Sequence, residues 1–390
     1  MRASLLTIVA LGLGLLAACA GTAVAPGPVA TPTTAPSPAL PATLTPAPTA
    51  SPSPPTPTPT PAFLTAKEVP LLSLAGLFPP RDLSSLRLDP SRIRTLIATG
   101  DVIPARGTDI AIRQQGDDFL YPVAATSDLT SAADLTVVNL EAPLIGGCPY
   151  HDSGFTFCGR PGFTAALQSA GVDVVTLENN HITNYGPQGT AETIGYLDAA
   201  GIASADRDTP AIVDVRGLRF GFLAFNGVGE NIDREAMASQ IEALRPQVDV
   251  LAVAFHWGAE YVALPETAPG IANDDPIEIA HRAVEAGADL IIGNHPHWVQ
   301  GVELYQDSFI AYSHGNFIFD QMWSYRTRVG VIGRYTFYDA TLVGVEFIPV
   351  LIEDSAQPNL LEGAEAQAVL DEMKAASEEL RDRLASAISP

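Results

Sequence analysis

The fold is decided by residues 289–297, which read DLIIGNHPH. The branched apolar run at the start is typical of a buried strand, and Gly293 marks the point where that strand must turn. His295 and His297 then follow at the mouth of the strand. If the backbone stays extended there, side chains two residues apart point the same way, so both imidazoles can face one point. Pro296 between them restrains the backbone, although two surface histidines in a polar loop are the alternative.

Other apolar runs of the chain are separated by segments of helical length, so the chain reads as alternating strands and helices of an α/β domain. Besides the opening stretch, the predicted strands cover residues 94–99, 134–138, 173–177, 219–225, 249–255 and 309–312, with an antiparallel pair at 328–338 and 341–350. The predicted helices cover residues 106–115, 163–170, 189–200, 234–244, 276–286 and 362–387.

Polar side chains follow five of these predicted strands. In α/β sheets, ligand sites form outside the carboxyl ends of strands, so the five clusters can converge on one crevice. Each cluster alone has an ordinary explanation, such as a helix cap, a turn or a half-buried histidine, but their coincidence favours a shared site. The residues concerned are Asp101, Glu141, Asn180, His181, His256, His295 and His297.

The donor atoms of this set are carboxylate and amide oxygens and imidazole nitrogens, without thiolates. Such a set suits one or two divalent transition metals (manganese, zinc or iron) rather than calcium. Two ions about 3.5–4 Å apart would share a bridging carboxylate, polarise a phosphoryl or acyl oxygen and generate a nucleophile at neutral pH. His181, next to the candidate ligand Asn180, would be free to stabilise or protonate the leaving oxygen.

The N-terminal residues 1–19 have the basic start and short apolar run of a secretory signal, and the run is too short to cross a bilayer as a mature helix. It ends in LAAC, which resembles the lipobox of bacterial lipoproteins and implies lipidation of Cys19. An ordinary cleaved signal is the alternative. We therefore expect an extracytoplasmic protein that a lipid anchors to the cell membrane.

The composition after the signal divides the chain further. Residues 20–63 are almost only Pro, Thr, Ala and Ser, which predicts a disordered, extended stalk of order 100 Å at about 3 Å per residue. Residues 64–360 are long enough for one large domain with a substantial core, and residues 361–390 are predicted to form a C-terminal amphipathic helix. The net charge of −23, with only two lysines, argues against nucleic acid and anionic lipid headgroups as partners.

Two cysteines remain after Cys19. Cys148 and Cys158 lie close together in a Gly-rich stretch, and an exported chain meets oxidising conditions, so we expect a disulfide. So short a loop would contribute about 2–3 kcal/mol on the chain-entropy model. The alternative is a small metal site with His151, which would supply only three ligands.

Six short motifs follow one another in the domain: GD at 100–101, NLE at 139–141, NNH at 179–181, HWGAEY at 256–261, HPH at 295–297 and YSHGNF at 312–317. This combination resembles the CapA (PgsA) family of poly-γ-glutamate capsule proteins, over about residues 97–321. The resemblance implies a metallophosphoesterase-like, calcineurin-type fold, which is a two-sheet α/β sandwich with flanking helices. It also implies two metal positions joined by Glu141. The other ligands would be Asn180, His256 and His295 at one position, and Asp101 and His297 at the other.

The chain departs from the metallophosphoesterase pattern at two places. Ile103 stands where those enzymes carry a histidine ligand, so one metal position is short of a ligand. Asn184 stands where the family often has aspartate, which removes a charge near His181, the residue that would contact the phosphoryl group.

Further residues have supporting roles in this interpretation. Glu260 and Tyr261 could orient His256. His314 could be an added ligand or a hydrogen-bonded core histidine. Arg106 could meet an anionic substrate, or could be an ordinary arginine on a helix surface.

The resulting hypothesis is a metal-dependent hydrolase or transferase acting on a phosphoester or amide bond. It would serve the synthesis, export or anchoring of poly-γ-glutamate or a similar anionic polymer, with membrane subunits of a synthesis complex as implied partners. The alternative is a non-catalytic scaffold or polymer-binding subunit that keeps the crevice without turnover.

Overall fold

The computed structural model describes residues 63–388, and the side chains up to residue 386. The predicted signal peptide, Cys19 and all but the last residue of the predicted stalk lie outside the described residues. The strands are β1 (Ile93–Val102), β2 (Leu135–Leu140), β3 (Val174–Thr176), β4 (Ala203–Ala205), β5 (Ala211–Val215), β6 (Leu218–Asn226), β7 (Val250–His256), β8 (Leu290–Asn294), β9 (Val302–Tyr305), β10 (Ser308–Ala311), β11 (Asn316–Ile318), β12 (Val329–Tyr338), β13 (Thr341–Glu353) and β14 (Gln357–Leu360). The helices are α1 (Gly107–Gln114), α2 (Ser127–Ser131), α3 (Thr164–Ser169), α4 (Gly186–Ala199), α5 (Arg234–Leu244), α6 (Pro276–Glu285), α7 (Tyr325–Arg328) and α8 (Gly363–Ile388).

These strands form two sheets. The first has the order β14-β13-β12-β1-β2-β3-β4, and β11 pairs with β1 off this path. Strands β1 to β4 of this sheet run parallel, whereas β12, β13 and β14 are antiparallel. The second has the order β5-β6-β7-β8-β10-β9, and its four central strands are parallel. The carboxyl ends of parallel strands therefore meet at one edge in each sheet.

The main core lies between the sheets, because alternate residues of each strand point to opposite faces. In β1, Leu96 and Ala98 face this inner core, whereas Ile97 faces the helical layer that contains α3 and α4. In β7, Ala252 faces the inner core and Val253 packs under α5 and α6. Burial on both faces explains why the central strands are continuous apolar runs.

The long helix α8 belongs to the same structural unit as the sheets. Val369 and Met373 join the inner core, and Ala376 joins the outer core that covers the second sheet. Ser377 accepts a hydrogen bond of 2.9 Å from the backbone N–H of Val302 in β9. Within the described residues, no helix combines the length and the apolar composition that crossing a membrane requires.

The predicted fold class, a two-sheet α/β arrangement with flanking helices, is confirmed. Every strand and helix predicted between residues 94 and 387 has a counterpart, with ends that differ by a few residues. The sequence pattern missed β4, β5, β9, β11 and β14, which have five residues or fewer and which tertiary pairing forms.

Candidate metal centre

The carboxyl ends of parallel strands bring the predicted ligands together from both sheets. Asp101 lies near the end of β1, Glu141 follows β2, and His256 is the last residue of β7. His295 and His297 follow β8 directly. Each of these five residues has at most 4% of its surface exposed.

Two groups of ligand atoms result, and Glu141 belongs to both. In one group, atoms of Asp101, Glu141 and His256 lie within 4.8 Å of one another. In the other group, the same limit holds for Glu141, His295 and His297. This places Glu141 between two potential ion positions. The rings of His256 and His295 also lie close together, with a centroid distance of 4.7 Å, and His297 Nδ1 lies 3.3 Å from Asp101 Oδ2. The division of the ligands that the family resemblance implies therefore stays a prediction.

The backbone at the histidine pair differs from the expectation of an extended segment, which is wrong. Strand β8 ends at Asn294, and His295 and His297 have φ values of 92° and 56°, in the left-handed region. Neighbouring segments hold this turn, since the N–H of His295 donates to Asp101 Oδ2 (3.2 Å) and the N–H of Tyr261 donates to the carbonyl of Pro296 (2.9 Å). The turn, rather than strand periodicity, directs both imidazoles to Glu141.

Asn180 and His181 approach the centre from the loop after β3. Asn180 Oδ1 lies 2.9 Å from His256 Nε2, and Glu141 Oε1 lies 3.3 Å from the same nitrogen. His181 Nε2 lies 4.0 Å from Glu141 Oε1. Asn180 thus extends the group of Asp101, Glu141 and His256, and His181 stands beside it.

Unpartnered buried atoms show that these residues fit a cation. Both carboxylate oxygens of Glu141 and both ring nitrogens of His295 are buried without a hydrogen-bond partner. A buried polar group without a partner costs about 1–3 kcal/mol, so proteins rarely retain one without a reason. Oxygen and imidazole donors around one carboxylate are the set that manganese, zinc or iron accepts.

In the protein alone, burial and neighbouring charges shift the pKa values of the candidate ligands in different directions. Burial and the nearby Asp101 raise the pKa of Glu141 well above its ordinary range. Burial lowers the pKa of His256 to about 4 and that of His295 well below its ordinary value, so both imidazoles are neutral at pH 7. Despite burial, the bond to Asp101 and the nearby Glu141 raise the pKa of His297 to about 9. Burial is the largest influence on Asp101 and opposes its ionisation, but the hydrogen bonds from His297 and Asn139 and the charges of His297 and His256 together lower the pKa of that carboxyl.

Two asparagines that the sequence interpretation missed hold the ligands in place. Asn139 in β2 donates to Asp101 Oδ1 (2.8 Å), and its amide nitrogen lies 3.4 Å from His256 Nδ1. Asn316 Oδ1 lies 2.8 Å from His297 Nδ1, so the other ring nitrogen of His297 is left for a ligand. Asn139 belongs to the NLE motif and Asn316 to the YSHGNF motif. The sequence signal that could have identified them is a side-chain amide within an otherwise apolar strand.

Two glycines let the segment that carries Asn316 reach the centre. A Cβ on Gly100 of β1 would collide with the carbonyl oxygen of Gly315, and one on Gly293 of β8 would collide with that of Tyr312. The backbone between β10 and β11 therefore passes directly against strand ends of both sheets. This close approach explains why each strand carries glycine at that position.

The predicted supporting residues occupy different places from those expected. Glu260, whose side chain is 41% exposed, lies 4.0 Å from His295 Nε2. The Tyr261 ring lies 6.1 Å from that of His297, and its hydroxyl accepts from Gln321 (3.0 Å). Both residues thus face the histidine pair instead of His256.

His314 and Arg106 are engaged elsewhere. His314 is fully buried with its Nε2 2.8 Å from the Tyr335 hydroxyl, as the core alternative predicts, and burial lowers its pKa to about 4. It is absent from the ligand groups found among the described residues. The Arg106 guanidinium binds both oxygens of Asp320 (2.5 and 3.1 Å) and the carbonyl of Gly154 (2.8 Å). It therefore holds the loop beside His181.

That loop is closed by a disulfide between Cys148 and Cys158, with a Cα–Cα distance of 5.8 Å. The bonded sulfurs do not provide thiolates for the alternative site with His151. Phe157 is 1% exposed, and its ring centroid lies 4.3 Å from that of His181. Ile103 packs with Phe157 and Phe319 in a small apolar cluster, so the position of the missing histidine is filled by core packing.

Comparison with known proteins gives matches to capsule synthesis proteins. The family described as "Bacterial capsule synthesis protein PGA_cap" matches residues 95–321. "Capsule biosynthesis protein CapA" of Bacillus anthracis is 27% identical over 294 residues, which cover 67% of this chain and 68% of that protein. "PGA biosynthesis protein CapA" of Bacillus subtilis is 28% identical over 259 residues, which cover 60% of this chain and 66% of that protein. The chain thus spans about two thirds of the length of these relatives.

Among solved structures, a putative 5'-nucleotidase from Staphylococcus aureus is similar, with a TM-score of 0.39 and 14% sequence identity. The match covers 73% of this chain and 58% of that structure. The likeness is remote, and the assignment of the fold class rests on the two sheets of the chain itself.

Proposed function

Because the chain belongs to the family of bacterial capsule synthesis proteins described as PGA_cap, we propose that it is a metal-dependent enzyme in the biosynthesis of poly-γ-glutamate or a similar anionic surface polymer. The names of the relatives from the two Bacillus species, both of them capsule or PGA biosynthesis proteins, support the pathway. The reaction would be hydrolysis or transfer at a phosphoester or amide bond. The observation that carries the enzymatic part is the buried, unpartnered carboxylate of Glu141 between two groups of ligand atoms.

In this proposal, two ions would share Glu141. Asn180, His256 and His295 would complete one position, and Asp101 and His297 would complete the other. When bound, such ions polarise the substrate oxygen and lower the pKa of water. The protein positions the ligands through Asn139 and Asn316, and it keeps His256 and His295 neutral by burial. Phe157 covers one face of His181, which limits the access of water to that imidazole.

The location belongs to the same proposal. The lipobox-like end of the signal at Cys19 supports an extracytoplasmic protein with a lipid anchor in the cell membrane. Membrane subunits of a capsule synthesis complex would be its partners, and the anionic polymer its substrate or cargo. Globomycin treatment of cells, which blocks lipoprotein signal cleavage, tests the anchor. Unprocessed chain should accumulate, and a C19A variant should no longer acquire the lipid.

A second candidate function is a scaffold that binds the polymer without turnover. Ile103 favours it, because apolar packing with Phe157 and Phe319 fills the place of a metal-ligating histidine. The enzyme would need bound metal for turnover, whereas the scaffold would bind the polymer without turnover.

Metal analysis and turnover of the purified full chain separate them. We would measure bound manganese, zinc and iron, and then hydrolysis of bis-p-nitrophenyl phosphate and of poly-γ-glutamate. The variants are H295A and H181A, with H281A as matched control, because His281 pairs with Glu303 away from the centre (2.9 Å). The enzyme hypothesis expects metal in wild type, H281A and H181A, metal loss in H295A, and turnover only in wild type and H281A. Bound polymer without turnover in any form would support the scaffold, and an absence of bound metal would refute the metal-dependent enzyme.

A further inference from the structure

The disulfide loop carries a further group of possible ligand atoms, apart from the candidate metal centre. Atoms of Cys148, His151 and Cys158 lie within 4.8 Å of one another. Cys148 and His151 are separated by two residues, a spacing that is common between neighbouring zinc ligands. In the oxidised chain the two sulfurs are bonded to each other, so the group lacks thiolates. Reduction of that bond would supply them.

The ring of His151 is oriented in the way that suits a metal ligand. Its Nδ1 lies 2.9 Å from the carbonyl oxygen of Pro149. That oxygen can only accept, so Nδ1 carries a proton, and in the neutral ring Nε2 carries the lone pair. Nε2 is buried and has no hydrogen-bond partner within the described part of the chain. A backbone carbonyl behind one ring nitrogen and a lone pair on the other are what metal-bound histidines show.

Reduction would separate the sulfurs without releasing the base of the loop. Cys158 is fully buried, and the N–H of Phe157 before it donates to Asn184 Oδ1 at 2.6 Å. Cys148 is only half-buried and residues 152–156 are exposed, so this part of the loop has room to adjust. Two zinc–sulfur bonds of about 2.3 Å in a tetrahedral arrangement place the sulfurs about 3.8 Å apart, instead of about 2 Å in a disulfide. The necessary movement is therefore small and falls on the exposed side.

We propose that the disulfide loop is a redox-controlled metal site, in which reduction creates a Zn²⁺ site from Cys148, Cys158 and His151. A dithiol is the reductant. It gives two electrons and two protons to the disulfide and becomes a disulfide itself, while the two cysteines become thiols. On binding, each thiol releases its proton to solvent, and the two thiolates balance the charge of the ion. Water takes the fourth position, as in other zinc sites with three protein ligands.

The donor atoms distinguish this site from the candidate metal centre. Two thiolates and one imidazole select zinc over manganese or calcium, whereas the centre offers carboxylate, amide and imidazole donors without sulfur. In the reduced chain the ion closes the loop in place of the disulfide. Phe157 then stays against His181, where the ring centroids lie 4.3 Å apart. The site does not depend on the proposed function, because none of its ligands belongs to the centre.

Cobalt binding to the full chain tests the site, because Co²⁺ replaces Zn²⁺ in such sites and its bonds to thiolates give a charge-transfer band in the near ultraviolet. The chain is reduced with dithiothreitol, freed of it under argon and titrated with Co²⁺. We expect the band in reduced wild type, but not in oxidised wild type or in C148S/C158S. H151A should bind Co²⁺ through its thiolates more weakly by about 10–100-fold or more, since even the residues behind a ligand contribute that much.

H281A is the matched control, because His281 lies outside the loop and pairs with Glu303 (2.9 Å), and it should bind Co²⁺ as wild type does. Reduced wild type without the band would overturn the proposal. So would an H151A variant that binds as tightly as wild type, because the thiols alone would then explain the band. Circular dichroism follows the fold, and unfolding on reduction would equally count against the proposal. The centre has no thiolate, so a failure of the proposed function would leave this result unchanged.

Discussion

Replacement of Glu141 by methionine should make the metal-free protein more stable and should remove its stabilisation by metal. Methionine has nearly the same size as glutamate but no carboxylate. In the protein alone, both oxygens of Glu141 are fully buried without a hydrogen-bond partner, and Asp101 lies nearby as a like charge. His256 Nε2 would lose a 3.3 Å contact but keep its bond to Asn180 (2.9 Å).

The magnitude follows from the cost of the unpartnered group. An unsatisfied buried polar group costs about 1–3 kcal/mol, so we expect E141M to gain about that much in free energy of unfolding. For a chain of this size that corresponds to a rise in Tm of about 2 °C per kcal/mol. Metal at 100 times its Kd should stabilise wild type by about 2.7 kcal/mol, and E141M by much less, because the shared ligand is gone.

The pH dependence has a definite sign. The folded pKa of Glu141 is raised above its ordinary value of 4.5, so its ionisation penalty is absent below that pH and develops as the pH rises. The stability difference between E141M and wild type without metal should therefore be smaller at pH 4 than at neutral pH.

The assay is urea unfolding of the full chain in EDTA and with added manganese or zinc. E303M is the matched control, since both oxygens of the largely buried Glu303 have partners, His281 (2.9 Å) and Tyr312 (2.7 Å). We expect E303M to be destabilised in both conditions. If metal-free E141M proved less stable than wild type, the inference from unpartnered atoms to a cation site would be refuted.

Three further predictions concern single contacts of the fold. D134N should lower the free energy of unfolding by about 1–2 kcal/mol at pH 7, because Asp134 accepts a hydrogen bond from the N–H of Thr95 (2.8 Å) and pairs with Arg216. Despite burial, these contacts lower the pKa of Asp134, so the loss of stability should shrink as the pH falls below about 3.8. An equal loss at pH 3 and pH 7 would contradict this prediction. The double variant C148S/C158S should lose about 2–3 kcal/mol in urea unfolding, and reducing agent should then affect wild type but not the variant. N316L should weaken metal binding about 10–100-fold in equilibrium dialysis, because His297 loses the acceptor at 2.8 Å that orients it; unchanged affinity would exclude that role.

The strand ends were predictable because the determining signal is local. Each ligand-bearing strand is a continuous apolar run that stops at a polar residue, and parallel strands bring such stops to one edge of a sheet. Asp101, Glu141 and His256 could therefore be placed near one another from the sequence. Strands such as β11, with three residues, carry no comparable pattern and exist because β1 offers them hydrogen bonds.

The partners of each ligand were not predictable, because they depend on contacts between distant segments. Glu260 and Tyr261 follow His256 in sequence, so sequence proximity suggested that they support it. In the fold they lie against His295 and His297, because the N–H of Tyr261 bonds to the carbonyl of Pro296. The left-handed backbone of the histidine pair also has no sequence signal, since neither residue is a glycine.

The backbone and the side chains of the centre support the same conclusion independently. Non-glycine residues with positive φ cost of order 1 kcal/mol or more each and persist only where the surroundings impose them. His295 combines such a backbone with a buried ring that has no hydrogen-bond partner, and Glu141 opposite it is equally unpartnered. A centre selected only for stability would remove these costs by simple substitutions, for example a glycine at 295 or an apolar residue at 141. Their coincidence in one group of atoms within 4.8 Å is explained if a cation completes the site, since the same ion would satisfy both side chains and hold the turn.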